Sequence, residues 1–378
     1  MALVLNEEEQ MLRDAAKGFL SEKAPVGALR KLRDDDDPLG WSRDLWSQMA
    51  DMGWAGILVP EEYGGIDYGM VGAGLIAQEM GRNLTASPFI STALMAVTAL
   101  REGSVEQKEK WLPGIAEGKT IIAMAVDEGV KHDPAKTALS AVAHGNGYRL
   151  NGEKSYIIDG FDADALIVAA RTSGEAGDEA GISLFIVEKD AVGMSSSRTK
   201  LLDARNYAHS EFTDVDVAGD ALIGTLDDGF ALLERVLNVG RVGLAAEMLG
   251  ASEQSFDMTM DYIKERKQFG TRVGAFQGLQ HRAAHLYSEI ELVKSAVLKA
   301  LQMFADAPEM SGAGAALAKA KAGEVAILAA NEAVQMHGGI GMTDEYDIGF
   351  YMKRVRAAQE LLGDYAFQAN RLAVLRGF

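Results

Sequence analysis

The chain has 378 residues, 48% of them hydrophobic and 24% charged, with 37 basic against 55 acidic side chains, so the formal charge is 37 − 55 = −18. That length exceeds one ordinary core and predicts two or three domains, while the acidic balance argues against nucleic acid or an anionic membrane as the main partner. The absence of cysteine excludes disulfides and thiolate chemistry, no apolar run approaches the ~20 residues of a bilayer span, and MALVLNEEEQ has no secretory-signal pattern, so a cytoplasmic location is expected.

Residues 1–118 read as helical. Asn6 can cap a helix whose third position is Glu9, and Leu12, Ala15, Ala16, Phe19 and Leu20 then share one face. Asp34–Asp37 ahead of Pro38 reads as a solvated loop, and VPEEYGGIDYG (59–69) as a break. A short helix, EQKEKWLPGIAEG (106–118), closes the segment. Residues 119–224 change character. TIIAMAV, GYRLNGEKSYIIDG, ALIVAART, ISLFIVEKD and HSEFTDVDV are short, β-branched runs punctuated by Gly, Asp and Asn, as in an antiparallel sheet or barrel. Residues 225–378 return to helix. Leu286, Ile290, Val293, Val297, Leu301 and Phe304 recur at spacings of 4, 3, 4, 4 and 3, a stripe wide enough for bundle packing. The fold expected is therefore an N-terminal helical domain (1–118), a middle antiparallel β-barrel domain (119–224) and a C-terminal four-helix bundle (225–378).

Several chemistries are set aside by pattern. There is no phosphate-loop motif and no Gly-x-Ser-x-Gly elbow, and HGGIGMT follows a helix where a dinucleotide fingerprint must follow a strand. His281 and His285 share a helix face, but no Glu follows His281 and Arg282 would repel a cation, so no metal site is expected. What remains is polar residues beside glycines. KERKQFGTRVGAFQGLQH (264–281) places Arg266 and Arg272 near Gly270, with Gln277 and Gln280 beyond, and AVQMHGG brings Gln335 to Gly338 and Gly339. Arginine forks and bare backbone suit a pyrophosphate, and glutamine suits an adenine edge.

VPEEYGG, LNGEKSYIIDG, YIKERKQFG followed by FQGLQH, and QMHGGIGMTDEYDIGFYMKR resemble, in order and spacing, the pattern of the acyl-CoA dehydrogenase family. The resemblance runs almost end to end and implies that family's α–β–α fold. It also implies FAD, an acyl-CoA thioester oxidised between Cα and Cβ, electron-transfer flavoprotein as acceptor, and a homo- or hetero-tetramer built as a dimer of dimers. Carried over residue by residue, it puts Gln335, Gly338 and Gly339 at the adenosine end of FAD. Arg266, Gln268 and Phe269 meet the pyrophosphate of a neighbouring subunit's FAD, with Val273 and Gln277 nearby. Val126, Asp127, Tyr156, Ile157 and Ile158 face the isoalloxazine ring, and Asp364 is also expected at the cofactor. The family pattern has Thr-Glu-Pro-Gly and Trp-Ile-Thr where this chain has Asp-Glu-Gly-Val (127–130) and Tyr-Ile-Ile (156–158).

The family reaction uses a glutamate to remove the α-proton while flavin takes hydride from the β-carbon. Both positions where the family carries that glutamate are empty here: one is Leu362, in Leu-Gly-Asp, and the other is Gly240, before Arg241. Glu247, seven residues on, is the candidate substitute with Arg241 beside the site; Glu360 and Asp364 flank Leu362. The alternatives are a non-catalytic subunit that completes the FAD site of a partner chain carrying the base, or an atypical acyl-CoA whose chemistry needs none.

Overall fold

The structure is a computed structural model and describes residues 3–378. In chain order the helices are α1 (Glu7–Lys23), α2 (Val26–Asp34), α3 (Arg43–Asp51), α4 (Met70–Asn83), α5 (Val97–Leu100), α6 (Val105–Ala116), α7 (Phe230–Glu265), α8 (Gln277–Asp306), α9 (Ser311–His337), α10 (Ile348–Glu360) and α11 (Tyr365–Leu375). The strands are β1 (Ile122–Ala125), β2 (Ser140–His144), β3 (Gly147–Ile158), β4 (Ala165–Arg171), β5 (Ile182–Glu188), β6 (Met194–Arg198), β7 (Tyr207–Ala218), β8 (Leu222–Ile223), β9 (Lys267–Gln268) and β10 (Thr271–Arg272). These elements sort into two compact units: Lys31–Gly69 with Ala86–Gly240, and the N-terminal residues to Arg30 with Met70–Thr85 and Arg241–Phe378.

The first unit is built on an eight-stranded sheet in the order β6-β7-β3-β2-β4-β5-β8, with β1 added parallel to β4. The sheet is mixed: β4 pairs in parallel with β1 and, at one position, with β2, and the other ladders are antiparallel, in the middle β-domain expected. β4 is buried along its whole length, which is why it reads as an unbroken apolar run, Ala-Leu-Ile-Val-Ala-Ala-Arg. The long β3–β7 ladder slips register between Lys154 and Ile157, and this bulge sets Tyr156 at φ +54°. The acidic run is less solvated than its sequence suggests: Asp36 holds Lys200 and Arg198 at 2.6 and 3.3 Å, and Asp37 accepts from the backbone of Leu39 and Gly40.

The second unit is all helical apart from the small β9–β10 ribbon. Asn6 and Glu9 form the expected capping box at the start of α1. The α8 stripe is buried at Leu286, Ile290, Val293, Val297 and Leu301. Small residues let α4 and α7 approach closely: a Cβ at Gly81 would overlap the carbonyl of Glu247, and one at Gly250 would overlap that of Gln78. Across this apolar interior Arg354 Nη1 of α10 reaches Glu247 Oε1 of α7 at 3.0 Å, with both side chains almost fully buried. Arg241 and Lys319 are also buried and point at one turn. Arg241 Nε donates to Leu362 O (3.1 Å), while Lys319 Nζ donates to Gln359 O (2.9 Å) and Gly363 O (3.3 Å). Burial first, and the Arg241 charge second, push the Lys319 ammonium down to about 7.

Two outcomes follow from these buried charges. Removing one member of the α7–α10 pair strands the other in an apolar interior, so Glu247→Ala is expected to destabilise the chain by about 3–5 kcal/mol. The double change Glu247→Leu with Arg354→Met is expected to recover most of that in urea unfolding, because the ion pair's desolvation is then removed as a whole. Lys319 titrates near 7 when folded and at its ordinary 10.5 when unfolded. Below about pH 7 both states are protonated, and between 7 and 10.5 the unfolded state holds more protons, so stability rises with pH in that window. Wild type should gain roughly 2 kcal/mol more than Lys319→Met between pH 7 and pH 9; equal slopes in the two proteins would show that Lys319 is not the group responsible.

Candidate active site

The expected ring-facing residues of the β-unit come together. Val126 and Asp127 follow β1, and Tyr156, within the bulge, leads to Ile157 and Ile158 at the end of β3. Ser155 N donates to Asp127 O at 2.7 Å, and Lys154 Nζ donates to Val126 O at 2.9 Å. Lys154 has no exposed side-chain surface. Burial lowers its proton affinity, and Glu128, at 2.7 Å, opposes that shift. Glu128 in turn accepts from the backbone of Ala138 and Leu139, so the whole loop is pinned to β3. Asp127 Oδ1 lies 2.7 Å from His132 Nδ1, whose side chain is 3% exposed. Ser155 Oγ meets His209 Nδ1 at 3.1 Å.

A second group forms on the helical unit. α7 ends at Glu265, and Arg266 leads into the β9–β10 ribbon, whose two-residue loop is Phe269 (φ +56°) and Gly270 (φ +80°). Two left-handed residues match the twist of a tight hairpin, and phenylalanine there is a strained choice. Phe269 is nonetheless 91% exposed, touching only the edge of Phe276 among aromatic rings described. Val273 N closes the ribbon on Arg266 O at 2.8 Å. Arg266, Gln268, Gln277, Gln335, Gly338 and Gly339 are all exposed. Among the described residues the side chains of Arg266, Arg272, Gln277 and Gln335 have no hydrogen bond or ion pair; Gln268 donates only to the carbonyl of Lys267. Gly338 adopts φ +65° as α9 ends, and a Cβ on it or on Gly339 would meet nothing within 4 Å. The ends of α7 and α9 are joined by His337, whose ring lies 4.5 Å from Tyr262 and 4.7 Å from Tyr346. Its Nδ1 bonds Ala333 O at 2.7 Å, and burial lowers its proton affinity.

A third group is the turn Leu361–Asp364 between α10 and α11. Leu362 (φ +57°) and Gly363 (φ +102°) are both left-handed. Gln368 Nε2 joins Arg241 on Leu362 O, at 2.7 Å, and Lys319 holds Gly363 O. Asp364 belongs here and not to the exposed group: it caps α11, accepting from Phe367 N at 2.9 Å. Glu247, singled out as a substitute base, is instead the buried partner of Arg354, and Arg241 is a clamp on the turn. Glu360 is exposed and lies 3.4 Å from Arg356. Sequence reasoning passed over Lys154, His132, Tyr262, His337 and Lys319. Lys319 alone left a signal, as a charged residue inside the small-residue run Ala-Ala-Leu-Ala-Lys-Ala.

The comparisons with known proteins cover the whole chain. Family models match in order: acyl-CoA dehydrogenase N-terminal domain over residues 6–119, middle domain over 123–215 and C-terminal domain over 227–374. The acyl-CoA dehydrogenase FadE12 of Mycobacterium tuberculosis is 31% identical over 364 residues, 95% of this chain and 93% of that protein. Among solved structures, the acyl-CoA dehydrogenase of Geobacillus kaustophilus is 29% identical with a TM-score of 0.89, covering 100% of both chains. A chain of the Tcur3481-Tcur3483 steroid ACAD is also 29% identical, with a TM-score of 0.88 and 98% of each chain covered. The chain therefore belongs to the acyl-CoA dehydrogenase family, whose members are FAD-dependent oxidoreductases acting on CH–CH bonds.

Proposed function

We propose that this chain binds FAD and serves the α,β-dehydrogenation of an acyl-CoA thioester, with electrons leaving to an electron-transfer flavoprotein. The observation that carries the reading is the exposed group at the joined ends of α7 and α9. Arg266 is a cation with no protein partner among the described residues, on a ribbon that projects an exposed phenylalanine. An uncommitted guanidinium fits a diphosphate, free glutamine amides fit an adenine edge, and bare backbone at Gly338 and Gly339 admits close approach. In the proposed tetramer this group receives FAD: Arg266, Gln268 and Phe269 at the pyrophosphate of a neighbour, with Val273 and Gln277 beside them, and Gln335, Gly338 and Gly339 at the adenosine end. Val126, Asp127 and Tyr156–Ile158 supply the surface for the ring, held rigid by Lys154 and Glu128. When bound, the flavin accepts hydride from the substrate β-carbon.

A second reading concerns the base. Leu362 cannot accept a proton, Gly240 has no side chain, and Glu247 is sealed against Arg354 with 3% of its side chain exposed. These observations favour a heteromeric assembly in which a homologous chain carries the catalytic glutamate. The steroid ACAD relative, whose name joins two chains, is compatible with that arrangement.

Two measurements test these readings. Arg266→Ala removes an exposed cation, so it should leave the melting temperature unchanged while weakening FAD binding by roughly ten- to a hundredfold, the size of a charge-assisted hydrogen bond. Unchanged affinity would detach Arg266 from the cofactor. Anaerobic addition of acyl-CoA to the flavin-loaded chain separates the two assemblies. Loss of flavin absorbance by the isolated chain rejects the need for a partner's base; loss only after a glutamate-bearing homologue is added rejects the stand-alone enzyme.

A further inference from the structure

We propose that a cavity walled by α1, α4, α7 and α8 binds an aliphatic amino acid: Glu79 takes the ammonium, Arg13 and Lys17 the carboxylate, and leucines of the wall the side chain. The proposal does not rest on the FAD reading, because none of these residues belongs to the groups assigned to the cofactor or to the Leu361–Asp364 turn.

Helical spacing brings the wall together. Arg13 and Lys17 stand one turn apart on α1, and Leu75 and Glu79 one turn apart on α4; Leu298 and Leu301 add the surface of α8, and Leu249 that of α7. All belong to one of the two compact units. The cavity measures about 670 Å³, within the usual range of small-molecule sites.

Glu79 is the reason to expect a ligand there. It is 4% exposed, its Oε2 is buried with no hydrogen-bond partner, and its one described ion-pair contact is Arg82 Nε at a long 3.9 Å. Burial raises the proton affinity of its carboxyl, with Glu253 adding to the shift and Arg82, Lys17 and Arg13 opposing it. A buried carboxylate short of donors is costly, and a ligand ammonium brings three N–H groups. The neighbouring charges cannot serve, because they are committed. Arg82 holds Asp257 at 2.6 Å and Gln254 at 2.9 Å. Glu253 accepts from Gln78 at 2.8 Å and lies 3.3 Å from Lys294, which also holds Glu291 at 2.7 Å.

The two cations of α1 define the other end of the ligand. Lys17 has no hydrogen bond or ion pair among the described residues, and Arg13 has only Asp14 Oδ1 at 3.9 Å, while that oxygen accepts from Gln10 at 3.1 Å. The uncommitted charges are therefore one buried anion and two cations. An amine alone would add a third cation to that set, and a carboxylate alone would face Glu79. A zwitterion answers both signs, and the leucine surfaces select an aliphatic body over a wholly polar one.

Isothermal titration calorimetry of the full chain with L-leucine, isopentylamine and 4-methylpentanoate tests the site: the amine lacks leucine's carboxylate, and the acid lacks its ammonium. Leucine should bind about tenfold more tightly than either analogue, since each has lost a charge-assisted hydrogen bond. Glu79→Gln should bring leucine down to the affinity of 4-methylpentanoate, and Arg13→Ala with Lys17→Ala down to that of isopentylamine. The double variant changes side chains at the rim only, so its melting temperature should stay at the wild-type value, and it decides the matter even where Glu79→Gln does not fold. The proposal is overturned if leucine shows no binding in the millimolar range, if either analogue binds as tightly as leucine, or if a folded variant keeps wild-type affinity for leucine.

Discussion

The candidate face of the β-unit depends on one buried lysine. Lys154 lies with no exposed side-chain surface on the strand that carries the bulge, and its ammonium is shared between the carbonyl of Val126 and the carboxylate of Glu128. An ammonium taken out of water is tolerable only with its partners in place, and removing one partner of such a pair typically destabilises by about 3–5 kcal/mol. That penalty is what keeps the Val126–Leu139 loop from sliding along β3. Because the same lysine bonds a main-chain carbonyl beside Asp127, the position of Asp127 follows from a charge it does not itself touch. The bulge contributes the other half: it turns Tyr156 into a left-handed conformation, so the end of β3 meets the loop and the regular ladder does not continue.

The helical unit solves a similar problem with aromatic packing. Arg266, just past the end of α7, and Gln335, in the last turn of α9, are 335 − 266 = 69 residues apart in sequence, and neither side chain has a hydrogen bond or ion pair among the described residues. Tyr262, one turn before Arg266, and His337, two residues after Gln335, pack ring on ring instead, with Tyr346 against both: 4.7 Å from the imidazole and 6.3 Å from Tyr262. Burial favours the neutral ring, and neutrality is what allows it to pack among these rings without a counter-ion. The polar side chains are thereby left uncommitted, which is the condition for a ligand to be recognised by them.

Periodicity and punctuation made the helices and most strands readable, because both report burial directly: the α8 stripe and the fully buried β4 are examples. The parallel pairing of β1 with β4 was not readable, since strand composition carries no information about which strands meet. β6, Met-Ser-Ser-Ser-Arg, was missed for a related reason: its residues are mostly exposed, and it is a strand only because β7 lies beside it. The candidate group was legible where residues are exposed and glycine-flanked, as at Arg266 and Gly338. What was not legible is the set of buried polar contacts between segments distant in sequence. Nothing in the local sequence pairs His132 with Asp127 rather than with solvent, or sets Glu247 against Arg354.

The turn at Leu361–Asp364 bears on what membership of this family can and cannot mean for the chemistry. Two left-handed residues in succession, one of them a leucine, are unfavourable by about 1 kcal/mol or more and persist only if the surroundings over-determine them. Here they do: Arg241 from α7, Lys319 from α9 and Gln368 from α11 hold the two carbonyls of the turn, and Asp364 caps the helix that follows. None of these contacts involves the side chain of residue 362. The shape of the turn is therefore independent of what stands there, and a proton acceptor could be lost from it with the backbone unchanged. A fold held in this way passes intact to chains with and without a base. Whether a given chain can remove a substrate proton has then to be read from the residue at the turn and from the carboxylates that could replace it, and in this protein those are a leucine and a glutamate already bound to arginine.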